Sequence, residues 1–175
     1  MNLFMRIFVA TIVVSSFIVT PDISLADSIP KPAAASFYPL IGKWHGQGEI
    51  KESGKAPAKM TLTLNCRKVA AGWAVACSMT AKNKKLSISE SDLMGVDAAT
   101  GEAHWYAITN MGETHDHLVN WINAKTMHAH YSWEQDGKKM FEEITFNINK
   151  RSMSFHSIVT TEGQTTGEFT GNVKH

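Results

Sequence analysis

Residues able to do chemistry are scattered along this 175-residue chain, and a period of two is what gathers them. Glu142 and Glu168 stand in segments rich in aromatic and aliphatic side chains. Counting outward from turn centres at Asp136–Gly137, Asn149–Lys150 and Glu162–Gly163 brings Tyr131, Glu142, Ser157 and Glu168 into one cross-strand row. The same face carries Trp133, Met140, Ile144 and Phe155. Carboxylates on an apolar face are costly unless they meet partners, ordered water or a ligand. Side by side in a low dielectric they raise each other's pKa, so one can stay protonated at neutral pH. That arrangement suits orientation of a polar ligand end, or acid and base work. A one-residue slip would instead place both glutamates outside as solvated charges.

The opposite face offers a second set. The same counting places His130, Glu143 and His156 in one row. Such a row can ligate a divalent metal, and it can equally be a surface charge pairing worth a fraction of a kcal/mol. His115 and His117 also share one strand face. There is no Gly-x-Ser-x-Gly elbow, His-Glu-x-x-His, phosphate loop or dinucleotide fingerprint, so no catalytic residue is assigned.

The elements that must position these residues are strands. Met60, Leu62, Leu64 and Cys66 alternate with Thr61, Thr63 and Asn65. Beyond the next turn Trp73, Val75, Cys77 and Met79 alternate with small residues. A hairpin turn centred on Ala71–Gly72 sets Cys66 opposite Cys77 and puts both apolar sets on one face. The two cysteines are therefore expected to form a cross-strand disulfide, contributing no more than about 3 kcal/mol for so short a loop. Further turn signals lie at 97–101, 111–112, 136–137, 149–150 and 162–163. Short loops between successive strands give an all-β, antiparallel up-and-down meander of about 8–10 strands. Closure into a β-barrel removes its two raw edges. The only helical lead is a turn or two over residues 33–40.

The start of the chain reads differently. A weakly basic lead precedes an apolar run over residues 7–19, and Ser24-Leu25-Ala26 offers small residues where a signal peptidase reads. Residues 1–26 are expected to be a cleaved signal peptide, 27–36 a tether, and 37–175 a single barrel domain. The expected location is the periplasm or outside the cell, where a disulfide persists. After cleavage no membrane span is expected. Net charge is +1 with no basic block, so no nucleic-acid partner is indicated.

The stretch FYPLIGKWHGQGEI, residues 37–50, resembles the first strand of lipocalin-like barrels. The resemblance implies that Trp44 closes one end beneath a cavity, with Gly46 and Gly48 leaving room above it. MGVDAATGEAHWYAIT, residues 94–109, resembles the Gly-Tyr-Asp…Thr-Gly…Trp hairpin of the bacterial DUF1579 family of uncharacterised proteins, with Val96 where that family often has an aromatic. The glycine-rich first strand also looks like the start of nitrobindins, ten-stranded haem-binding barrels whose iron is held by a histidine near the C-terminal end. Here the last strand has only His175, and His156 lies one strand earlier, so the haem ligand does not carry over. The reading is thus a barrel binding a small, mostly apolar molecule. Trp44, Trp105, Tyr131, Trp133 and Phe155 are expected as walls, with Glu142 and Glu168 orienting a polar end. A haem-binding barrel and an enzyme using interior carboxylates are the alternatives.

Overall fold

The computed structural model describes residues 36–175. The expected signal peptide and all but the last residue of the expected tether lie outside the described residues. Ten antiparallel strands follow one another: β1 (Gly42–Glu52), β2 (Ala58–Val69), β3 (Ala74–Lys82), β4 (Ser87–Val96), β5 (Ala103–Thr109), β6 (Thr114–Asn123), β7 (Thr126–Gln135), β8 (Lys138–Ile148), β9 (Ser152–Thr161) and β10 (Gln164–Lys174). Each pairs with its neighbours in sequence, and β1 pairs with β10, so the sheet closes as a barrel with no free edge. The expected helical lead is a single 3-10 turn, Tyr38–Leu40. Among the described residues no helix is long and apolar enough to cross a membrane.

Turn chemistry sets the registers. At the β7–β8 hairpin Asp136 and Gly137 both have positive φ, 52° and 71°. A two-residue turn of that hand matches the strand twist and fixes Trp133 opposite Met140 and Tyr131 opposite Glu142. Between β2 and β3 the chain makes a 3-10 turn at Ala70–Gly72, longer than the two-residue turn expected. It is still centred between Ala71 and Gly72, so Cys66 meets Cys77 and the disulfide forms.

Two expected registers are corrected. The β8–β9 connection centres one residue later than expected, which moves the pairing by two: Glu142 faces Val159, and Ile144 faces Ser157. A shift of two preserves the face. In β10 a bulge between Thr165 and Gly167 moves the pairing by one, and that reverses the face. Ser157 therefore pairs with Phe169, while Glu168 pairs with Ile158. Phe169 turns inward onto the Phe155 ring, 5.1 Å between centroids. The carboxylate of Glu168 turns outward to His156 and Lys51.

One end of the barrel is sealed. Trp44 is 1% exposed and donates its Nε1–H to the Leu40 carbonyl at 2.8 Å. Phe37 packs edge-on against Trp121, and His175 edge-on against Trp44. Tyr38 donates its hydroxyl to the Gly72 carbonyl, with the Lys68 ammonium over its ring. Gly46 and Gly48 do not hollow out the cavity as expected. A Cβ on either would run into the β10 backbone, at the Asn172 and Thr170 carbonyls. The glycines allow β1 and β10 to approach closely where the barrel closes, and that role is structural.

Candidate functional site

Behind the seal lies a cavity of about 300 Å³. Its lining runs from Leu40 at the closed end to Glu52, Met111 and Glu113 at the opposite rim. Most of the wall is apolar, supplied by Leu64, Met79, Ile88, Met94, Ile144 and Phe155. Set into this wall is one polar patch drawn from β4, β6, β8 and β9.

Glu142 is the centre of the patch. Its Oε1 accepts a hydrogen bond from the Ser157 hydroxyl at 2.6 Å. Its Oε2 lies 3.1 Å from His117 Nε2 and 3.7 Å from His115 Nδ1. The β6 sequence makes this possible, because His115, His117, Val119 and Trp121 occupy alternate, inward positions. Aromatic rings fix both imidazoles. His117 stacks on Trp105 at 4.7 Å, and His115 stacks on Tyr131 at 4.8 Å. The nitrogen of His117 that points away from Glu142, Nδ1, lies 3.3 Å from the Trp105 carbonyl. Trp105 in turn donates its indole N–H to Asp92 at 2.8 Å. Asp92 shares the inward face of β4 with Glu90, two residues earlier.

The two sides of the patch are electrostatically opposite. Burial and the neighbouring Asp92 charge push the Glu90 carboxyl up to about 9, with smaller contributions from Glu142 and Glu113. Burial also raises Asp92, partly offset by hydrogen bonds from Glu90 and Trp105. For Glu142 burial pulls upward as well. Contacts from His115, His117 and Ser157, with the charge on His117, outweigh it and hold the carboxyl at about 2. At neutral pH one wall thus carries a neutral acid and the other an ionised carboxylate.

No family model and no curated protein matches the sequence. Solved structures do match. Rv2717c from M. tuberculosis superposes with a TM-score of 0.65 at 13% identity, over 82% of this chain and 97% of that one. A protein of the DUF3598 family from Nostoc punctiforme gives 0.56 at 10% identity, over 79% of this chain and 48% of that one. The S-type phycobiliprotein lyase CPES from Guillardia theta gives 0.52 at 12% identity, over 79% and 88%. The fold is a lipocalin-like β-barrel. At these identities the likeness carries fold alone.

Within this lipocalin-like barrel the expected residues separate. Trp105, Glu142 and Phe155 line the cavity. Trp44 sits behind Leu40 as part of the seal. Tyr131 and Trp133 form a stack that backs His115, outside the cavity lining. Glu168 borders the rim with its carboxylate turned outward, 3.4 Å from His156 Nε2. The exterior row His130–Glu143–His156 is broken. His130 does pair with Glu143, but Glu143 pairs with Ile158 and His156 with Thr145. His156 therefore lies outside the barrel and His175 at the sealed end, so neither offers a haem ligand inside the cavity.

Glu90, Asp92, His115 and His117 are the interior polar residues that strand counting from 127 onward leaves out. A signal for them exists. Ile88, Glu90, Asp92 and Met94 alternate with three serines and Leu93, so carboxylates stand between apolar inward positions. The pairs Cys77–Asp92 and Met79–Glu90 put them on the face of the disulfide.

Proposed function

We propose that this barrel binds a small, mostly apolar molecule whose polar end meets the patch around Glu142. The observation that carries the reading is a cavity of about 300 Å³ with an apolar wall and one convergent polar cluster. The ligand's apolar body packs against Ile144, Phe155 and Met79. Its head group is a hydrogen-bond donor or a cation, complementary to an ionised carboxylate. The chain is read as exported by the leader-like residues 1–26, and the disulfide is compatible with that. The hairpin over residues 94–109 supports a relationship to the DUF1579 family, as does the glycine-rich first strand to lipocalin-like barrels.

Native mass spectrometry of protein purified without denaturation tests the reading. The expected result is a retained small molecule, lost when Ile144→Trp fills the cavity in a protein that still melts cooperatively. A mass with no adduct from the native source, together with no uptake of apolar probes by the purified protein, overturns it.

A second reading is favoured by one observation. Glu90 and Glu142 have their carboxyls driven in opposite directions across a single cavity. Carboxyls separated in this way can serve as acid and base. An enzyme of this kind requires a bell-shaped pH–rate profile, with one limb lost in Glu90→Gln and the other in Glu142→Gln. Retention of both limbs in both variants excludes it.

A further inference from the structure

We propose that His115, His117 and Glu142 form a site for a divalent transition metal of the zinc class, with an exchangeable position facing the cavity. The donor atoms all lie within 4.8 Å of one another. Two of the separations, 3.1 and 3.7 Å, bracket the spacing of about 3.3 Å between ligands of a tetrahedral zinc at bond lengths near 2.0–2.1 Å. Two imidazoles and a carboxylate make a set that suits zinc.

The hydrogen-bonding pattern is the second observation. His117 sets each ring nitrogen against an acceptor, with Nδ1 3.3 Å from the Trp105 carbonyl and Nε2 3.1 Å from Glu142 Oε2. A neutral imidazole has one N–H and serves only one of them. With Nδ1–H given to the carbonyl, Nε2 turns a lone pair towards the carboxylate oxygen, and a metal between those two atoms satisfies both. Without a metal, a hydrogen on Nε2 fills that place. Side-chain exposure at His117 is 2%, so water does not separate the pair.

The supports expected around a metal are in place. A ligating histidine commonly donates its other ring N–H to a carbonyl or carboxylate, and here it meets the Trp105 carbonyl. The Ser157 hydroxyl holds Glu142 Oε1 and leaves Oε2 for the metal. Tyr131 and Trp105 stack against the two imidazoles and hold their planes. All three ligating residues line the cavity, so the open side faces it and takes water or an oxygen of a bound molecule. Three protein ligands plus one open position is the pattern of catalytic rather than structural zinc. The site stands on its own residues, and with the metal bound the polar end of a cavity ligand would meet it through an oxygen, in place of the donor or cation that bare Glu142 takes.

The test uses the full-length protein stripped with chelator, and Co²⁺ alone as probe. The expected result is one equivalent bound with the intense visible bands of low-coordinate cobalt, displaced by Zn²⁺. His115→Ala and His117→Ala lose the bands, and His130→Ala and His156→Ala on the exterior keep them. Ser157→Ala, a milder change, weakens Zn²⁺ affinity by about 10- to 100-fold. Each variant is compared with the parent by its circular dichroism and melting. Nitrogen-15 spectra of the histidines add a direct readout, in which Zn²⁺ moves the Nε2 resonance of His117 while Nδ1 stays protonated. The proposal is overturned if the wild type takes up no equivalent, or if uptake survives His117→Ala. It is overturned also if His117 keeps a hydrogen on Nε2 with Zn²⁺ in excess, since that hydrogen then holds the place of the metal.

Discussion

Glu142 shows how a single buried carboxylate can be held charged. Burial opposes the charge, and three side chains from β6 and β9 reverse that preference. Replacing Glu142 with Gln keeps the shape and removes the charge that faces both histidines. The expected cost is about 1–3 kcal/mol, read from urea unfolding at neutral pH. Because its folded pKa lies below the ordinary value, Glu142 contributes stability that is present above pH 4.5 and lost as pH falls towards about 2. Glu90 behaves in the opposite sense. Its folded pKa lies far above the ordinary value, so between pH 4.5 and about 9 the unfolded chain releases a proton that the folded chain keeps. Its contribution is therefore full below pH 4.5 and falls as pH rises across that window. Glu90→Gln should flatten this decline, making the variant relatively more stable than the parent towards pH 9. An unchanged slope of stability against pH would show that the proton is held elsewhere.

The strands decide what each residue can reach. In β10 the alternation of Phe169, Gly171 and Val173 with Thr170, Asn172 and Lys174 already marks the odd positions as inward. Counting from the 162–163 turn alone puts Glu168 inside, because a turn centre carries no information about an extra residue later in the strand. The bulge supplies that residue. Deleting Thr166 should remove the bulge and leave the pairing from Gly167 onward as it is, with Phe169 inside and Glu168 outside. The losses are then local, the Thr166 hydroxyl contacts with Thr161 and the Val159 carbonyl and the bond from the Ser53 N–H, so only a modest drop in the unfolding midpoint is expected. A large drop, up to the roughly 3 kcal/mol that loss of Phe169 burial is worth, would mean that the deletion had reversed the face of the strand. At β1 the test is Gly48→Val, whose side chain meets the Thr170 carbonyl, Leu62 and Phe169. Overpacking of this kind costs about 1–3 kcal/mol, and differential scanning calorimetry would register it as a lowered melting temperature. The cysteine hairpin is the element most completely readable in advance. Alternation and the cysteines demand the same register, and the longer turn preserves its centre.

At the scale of the molecule, closure is the decisive event. β1 and β10 pair along eight positions from His45–Lys174 to Glu52–Gly167, although they stand at opposite ends of the described chain. Such pairing forms only after a large loop has closed, so folding is expected to be slow, in the millisecond-to-second range of all-β domains. Removing residues 167–175 should leave β1 and β9 as raw edges. The shortened chain is expected to aggregate in light scattering at concentrations where the full chain remains clear. A clear solution with intact circular dichroism would mean that the open sheet is stable without closure.

The amino-acid sequence by itself determined the strand class, the meander order, most turn positions, the Cys66–Cys77 pairing and the inward placement of Glu142, Trp105 and Phe155. These follow from local rules: a period of two, turn dipeptides, and the cost of a one-residue slip. The tertiary structure decided the rest. It set which face of β10 is inner, through one bulged residue. It showed that the glycines of β1 serve a close approach of two backbones. It brought His115 and His117 from β6 against Glu142 from β8. Strands two apart in the sheet meet across a barrel only through its curvature. Curvature arises from closure and not from the alternation within any one strand.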